Sequence, residues 1–399
     1  MTAISPFILI PIVTGLVGWG TNAMAVRMLF RPIERKGLGP VGWQGVLPAN
    51  AERMARTCVE LMTTQLLDPQ QVVQRLQADE VTVRLSPILE REAESIVEDV
   101  LRSRFPRLWE SLPDRVRQSA RERLRTEIPG LITELMEEVE TNLSRYLDVE
   151  ALVVNAFVSN RSLLNELFWS CGQREFKFIS RSGLYFGLMF GLVQSLVWFF
   201  VQPMWFLPAT GIVVGWATNW LALKMVFEPQ EPKALGPVRW QGLFLMRQHE
   251  VSQAYASFFA SRILRPEALV DGILRGPASE RIAHVLKRTC EQAVEQASGP
   301  AKHVIQLTVG TDEWVSMKSE ITERLVAVVP GELDRLHAYT ESALDLEAEL
   351  TRNLRQLSAA DFENVLRPLF RQDESTLIAV GAVLGGLAGL AQWMLVGIT

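Results

Sequence analysis

Three stretches of this chain carry no Asp, Glu, Lys or Arg: residues 1–26, 183–223 and 375–399. The segments between them are rich in charge. A bilayer core of about 30 Å takes roughly 20 apolar residues as a helix, so the first and last stretches each fit one crossing. The middle stretch is long enough for two. VQPMWFLP at 201–208 supplies the turn between them: its two prolines break a helix, and Trp205 suits the membrane interface. The pattern predicts transmembrane helices over 1–30, 183–203, 204–227 and 376–399, with polar cassettes over 31–182 and 228–375.

The cassettes read as helices. Leu131, Ile132, Leu135, Met136, Val139, Leu143, Tyr146 and Leu147 recur at helical spacing. Ala51, Met54, Ala55, Cys58, Leu61, Met62 and Leu66 do the same, as do Ile282, Val285, Leu286 and Val294. Prolines at 69, 87, 106, 113 and 129 punctuate the first cassette, and no run alternates as a strand would. Periodicity alone leaves open whether each cassette is a compact bundle or a long hairpin.

The pattern is also written twice. GWGTNAMAVRMLFRP at 18–32 returns as GWATNWLALKMVFEP at 215–229. At the offset that carries Gly18 to Gly215, Pro11, Trp19, Thr21, Asn22, Ala25, Met28, Phe30 and Pro32 all find their match. KGLGPVGWQG at 36–45 answers KALGPVRWQG at 233–242, and LDVEA at 147–151 answers LDLEA at 344–348. Gly183, Gly187, Gly191 and Gln194 correspond to Gly381, Gly385, Gly389 and Gln392. Each half therefore reads span, cassette, span. Two spans return the chain to the side it left, so the halves form a parallel repeat about an axis along the membrane normal.

Positive charge sets the orientation. Arg27, Arg31, Arg35 and Lys36 follow the first span, and Arg174, Lys177 and Arg181 precede the second. Lys224, Lys233 and Arg239 follow the third; Arg367 and Arg371 precede the fourth. The cassettes are expected in the cytoplasm and both termini outside, in a bacterial plasma membrane. Ala23-Met24-Ala25 mimics a cleavage site, but no basic region precedes it and its pattern recurs in the third span.

Polar residues inside the spans are the first candidate site. A buried amide in hydrocarbon must be bonded. The simplest solution by symmetry has Thr21-Asn22 and Thr218-Asn219 meeting at the repeat axis and bonding across it, as glue or as the lining of a path. Arg27 and Lys224 fit snorkelling cations or headgroup ligands. Glycines 183, 187, 191, 381, 385 and 389 lie on one face each and allow close helix packing. Trp43, Gln44, Trp240 and Gln241 fit either an interface anchor or a tight corner.

Composition narrows the rest. A formal net charge of −5 and a pI near 5.6 argue against a nucleic-acid partner. Three scattered cysteines form neither a disulfide framework nor a metal spacing. The four histidines stand only in the second cassette and match no zinc or protease motif. No phosphate-loop or nucleophile-elbow pattern occurs, and Asp148 and Asp345 read as helix N-caps. No catalytic residue, metal or cofactor is expected.

The Thr-Asn signature, the G-P-x-x-W-Q-G loop and the glycine-rich span with its Gln together resemble the bacterial membrane proteins grouped as domain of unknown function 445. The likeness runs over both halves, as if two such units were fused, and implies a membrane location without an activity. The expected class is an all-α polytopic membrane protein with four transmembrane helices in two parallel repeats. The first functional expectation is a non-enzymatic scaffold; the second is lipid handling or small-solute transport. The bilayer, cytoplasmic proteins and a second copy of the chain are the partners considered. An apolar groove along the cassettes would favour lipid handling, a hydrated cavity at the Thr-Asn pairs would favour transport, and close bonding there without a cavity would favour a scaffold.

Overall fold

The computed structural model describes residues 6–37, 42–68, 70, 74–111, 113–200, 205–235, 238–275, 279–333 and 337–398. Part of the expected 201–208 turn, Pro69, and the middle of each W-Q-G loop lie outside the described residues. The principal helices are α1 (Pro6–Phe30), α2 (Ala51–Leu61), α3 (Ala78–Arg104), α4 (Asp114–Thr141), α5 (Val149–Ser159), α6 (Ser162–Phe200) and α7 (Phe206–Phe227). A short hairpin of β1 (Lys233–Leu235) and β2 (Val238–Trp240) follows. Then come α8 (Gln248–Phe258), α9 (Pro266–Arg275), α10 (Ser279–Val309), α11 (Thr311–Leu333), α12 (Leu346–Gln356) and α13 (Ala359–Ile398). The hairpin is a strand element that the apolar pattern did not announce; it pairs Lys233 with Trp240.

Ile8–Phe30, Ser162–Phe200 and Phe206–Phe227 are long and apolar enough to cross a membrane. The last apolar stretch, Ile378–Met394, is shorter and continues a helix that begins at Ala359. Two helices run on through expected boundaries. No break separates cassette from span at 182–183 or at 375–376, because helical residues run through both positions.

The chain divides into two compact units. Unit 1 comprises residues 1–62, 153–258 and 350–399; unit 2 comprises 63–152 and 259–349. Unit 1 is a helical bundle. Within it α1 packs against α6, α7 against α13, and the two pairs against each other. Cys58, Tyr255, Phe157 and Phe362 belong to its buried residues outside the glycine-rich stretches.

Unit 2 draws its long helices from both halves: α3 and α4 from the first, α10 and α11 from the second. One cluster joins Val81, Leu85, Leu124 and Ile128 to Ala297. Another joins Val100 and Leu101 to Val294, Trp314, Met317 and Ile321. Each such side chain contributes about 1.5–3 kcal/mol when fully buried. Helix ends are charged to match the macrodipole: α3 opens on Asp79 and Glu80 and closes on Arg102 and Arg104. Asp148 caps α5, its Oδ1 accepting the Ala151 N–H at 2.8 Å.

The prolines behave unequally. Pro106 and Pro113 stand at helix starts, as expected. Pro87 and Pro129 lie inside α3 and α4 without ending them. A proline releases the carbonyl four residues earlier. Those residues, Val83 and Arg125, are exposed, so water can take the bond. Buried apolar positions continue on both sides of each proline and hold the helix together.

Candidate functional site

The Thr-Asn signature sits at a glycine-to-glycine helix contact in unit 1. Gly18 on α1 faces Gly183 and Gly187 on α6, and a Cβ on any of these would strike the opposite backbone. That closeness brings Asn22 to α6, where its Nδ2 donates to the Ile179 carbonyl at 2.9 Å. Asn22 is wholly buried, and its Oδ1 has no partner among the described residues. The second half repeats the contact: Gly215 faces Gly381 and Gly385, with Asn219 against Gly381. Thr21 and Thr218 bond back to Gly18 and Gly215 of their own helices, at 3.1 and 3.3 Å.

This corrects the expected bond across the axis. Asn22 spends its amide N–H on the Ile179 carbonyl of the helix it touches through glycine rather than on Asn219. A carbonyl one turn from an opposed glycine is nearer than a second amide on another helix. Gly191 and Gly389 extend the ladders, meeting Pro11 in one half and Leu207 and Pro208 in the other.

The two glutamines differ. Gln194 accepts from Thr14 Oγ1 at 3.0 Å and donates to Thr210 Oγ1 at 2.7 Å, so it ties α6 to both α1 and α7. Gln392 is equally buried, yet its Nε2 has no partner among the described residues. The repeat places Gly211 where the first half has Thr14. A side chain there would collide with the Gly385 backbone.

The W-Q-G loops are tight corners. Gln44 Nε2 donates to the Ile33 carbonyl at 2.7 Å, and Gln241 Nε2 to that of Gln230 at 2.9 Å. Gly45 and Gly242 donate to the carbonyls of Pro32 and Pro229, both prolines following cis peptide bonds. Lys36 bridges Trp43 as Lys233 pairs with Trp240. Trp43 is 40% exposed, so the corner also leaves an aromatic surface. Arg27 is exposed; Lys224 lies 4.9 Å over the Trp220 ring, which stacks on Trp216.

Unit 1 also holds an ion pair with no sequence motif. Glu175 is buried, and Arg247 Nη1 reaches both of its oxygens at 2.7 and 2.9 Å. Arg247 also binds Glu250, which Arg174 approaches at 3.3 Å. This geometry compensates a buried carboxylate. Burial pushes the Cys58 thiol up to about 12 and the Cys290 thiol up to about 11, which disfavours their thiolates.

Unit 2 contains an apolar chamber of about 370 Å³. Leu101, Trp109, Val294, Trp314, Met317 and Ile321 form much of its wall. A second hollow of about 90 Å³ shares Leu124, Val294 and Leu325 with it. Among the described residues, the charged side chains that reach the chamber are Glu94, Glu98, Arg117 and Arg121. Among the described residues no cluster of His, Cys, Asp and Glu is placed to hold a metal.

Residues 12–149 match the family model described as protein of unknown function DUF445. The matched stretch holds the first Thr-Asn signature, the first W-Q-G loop, and α3 and α4. Two similar proteins are named UPF0754 membrane proteins, one from Synechococcus elongatus and one from a Synechococcus strain. Each is 41% identical over 68 residues, a stretch that spans 16% of this chain and 16% of the relative. No solved structure matches. The family likeness read from the signature thus holds over 12–149, and the relatives' names, together with three helices long and apolar enough to cross a membrane, support a membrane location.

The chamber is what the sequence reading missed. Its walls come from helices far apart in the chain, and no local motif marks them. One signal was available: Glu90, Glu94 and Glu98 recur at one-turn spacing on α3, while Arg117, Arg121 and Arg125 do so on α4. Such ladders announce two helices lying side by side.

Proposed function

We propose that this chain is a membrane-anchored lipid-handling protein, in which unit 2 receives an acyl chain in its apolar chamber. The chamber carries the reading. Its volume falls within the range of about 300–1,000 Å³ typical of small-molecule sites. Its wall is built of large apolar side chains. A core required only for stability would be filled, since empty apolar volume costs about 24 cal/mol per Å³. An acyl chain offsets that cost, and a protein with apolar membrane-crossing helices lives beside a reservoir of them.

The membrane frame follows the repeat. Ile378–Met394 serves as the fourth crossing, within the longer helix α13. The paired glycine contacts of α1 with α6 and of α7 with α13 support two parallel repeats, for which the proposed setting is a bacterial plasma membrane. The basic residues flanking the spans put both cassettes in the cytoplasm. Asn22 and Asn219 act as glue within each helix pair rather than as the lining of a path. Holding a lipid requires no reacting group, which fits the absence of a catalytic motif in the sequence.

Mass spectrometry of lipid retained by the purified full chain tests this. Wild type is expected to keep about one acyl lipid per chain after exhaustive detergent washing. Ala120→Trp and Ala297→Phe fill the chamber and are expected to lose that lipid while keeping the wild-type melting temperature. Equal lipid content in wild type and both folded variants would refute the proposal.

A further inference from the structure

The antiparallel helices α3 and α4 face each other through a ladder of opposite charges. Arg125 Nε lies 3.7 Å from Glu90 and 3.8 Å from Glu94; Arg121 Nε lies 3.9 Å from Glu94. One turn further, the same spacing would pair Glu98 with Arg117. That rung is not made. Glu98 turns instead to Arg102 on its own helix. Arg117 donates through Nη2 to the Trp109 carbonyl at 2.6 Å, and its guanidinium stacks 4.7 Å over the Trp109 ring. Its Nε is buried and has no hydrogen-bond partner among the described residues.

The open rung coincides with the chamber, since Glu98, Arg117 and Trp109 all line it. The acids nearby are already matched: Glu94 by Arg121 and Arg125, Glu98 by Arg102. The nearest acid to Arg117 is Asp114, 3.8 Å away and 99% exposed, where water screens it. The site therefore presents an apolar wall ending at an under-compensated guanidinium. A buried donor left unpaired is costly and calls for an acceptor. A planar guanidinium suits the oxygens of a phosphate or carboxylate better than any neutral head.

We infer that the chamber selects a single-chain anionic lipid, its acyl chain against Trp314 and Val294 and its anionic head on Arg117. This rests on the acyl-chain reading above. Trp109, fixed by Arg117, closes the apolar wall beside the head. A second acyl chain would need volume that a chamber of about 370 Å³ does not offer.

Native mass spectrometry of the full chain in detergent, given equimolar oleoyl lysophosphatidate and monoolein, tests the inference. Both probes carry the same chain, and only the head differs. Wild type is expected to bind the anionic probe about tenfold more than the neutral one, the ratio one charge-assisted hydrogen bond supplies. Arg117→Gln is expected to bring the ratio close to one while monoolein binding persists. Asp114→Asn, at an exposed acid that water already screens, and Arg125→Gln, on a closed rung, should both leave the ratio unchanged. If wild type binds both probes equally, the headgroup inference fails and the chamber reading stands. If it binds neither, the chamber reading itself fails. If Arg117→Gln does not fold, Arg117→Met, which keeps the length of the stem and removes the charge, decides: a ratio held at the wild-type value overturns the role of Arg117.

Discussion

The two units solve helix packing in opposite ways. In unit 1 the helices meet backbone to backbone: Gly18 lies on Gly183, and Gly215 on Gly381. In unit 2 they meet through Trp314, Met317, Leu101 and Val294, and the large side chains hold the backbones apart. Lipid gives helices no hydrophobic reason to associate, so contact there depends on close approach and on bonds such as that of Asn22 to Ile179. In water, burial of large apolar groups drives association, and imperfect filling leaves a hollow. The close-packed unit suits an immobile frame; the other has room for a guest.

The sharpest way to break this contrast is to put a side chain where the frame allows none. Gly183→Leu would force α1 and α6 apart and leave Asn22 without the Ile179 carbonyl. Overpacking typically costs 1–3 kcal/mol, and the lost bond adds to it, so a loss of about 3–4 kcal/mol is expected. Thermal unfolding in detergent measures it, and Gly381→Leu should match it. A mild effect at both positions would mean that the helices are not held through glycine.

In unit 2 the same logic runs towards removal. Trp314→Ala enlarges a hollow that already exists, at a cost of about 3 kcal/mol, the low end for a buried aromatic, because the neighbours are already loosely packed. Bound acyl lipid should recover part of that loss by mass action. Melting with and without added lipid checks both points. A loss near 5 kcal/mol with no lipid rescue would mark the region as ordinary core.

The smallest effect separates the halves of the frame itself. Gln194→Leu removes the link to Thr14 and Thr210 and should cost about 0.6–2 kcal/mol. Gln392→Leu removes a buried amide nitrogen that lacks a partner among the described residues and should be neutral or stabilising. Equal losses at the two sites would mean that Gln392 is bonded after all.

Much of the frame was legible because its signals are local. Gly18, Asn22 and their copies repeat as words, and the glycine ladders declare a face. The bond partner of Asn22 was not legible: symmetry suggested the other asparagine, whereas the glycine contact put a backbone carbonyl within reach. The grouping of unit 2 was hidden for a related reason. Helix periodicity shows that Val97 and Trp314 each want burial, but not that they bury each other across more than half of the chain. Arg117 looked like one basic residue among many in an arginine-rich helix. Its difference lies in the acid that turns away from it.

The helices α6 and α13 have 39 and 40 residues. At 1.5 Å per residue each is about 60 Å long, roughly twice the hydrocarbon thickness of a bilayer. Each is a single strut that runs without a joint from its apolar stretch into its charged one. A tilt or axial slip imposed at Gly187 would arrive undamped at Glu175, and one imposed at Gly385 would reach Phe362 in the same way. Membrane mechanics and the charged end of the bundle are thus coupled by plain stiffness.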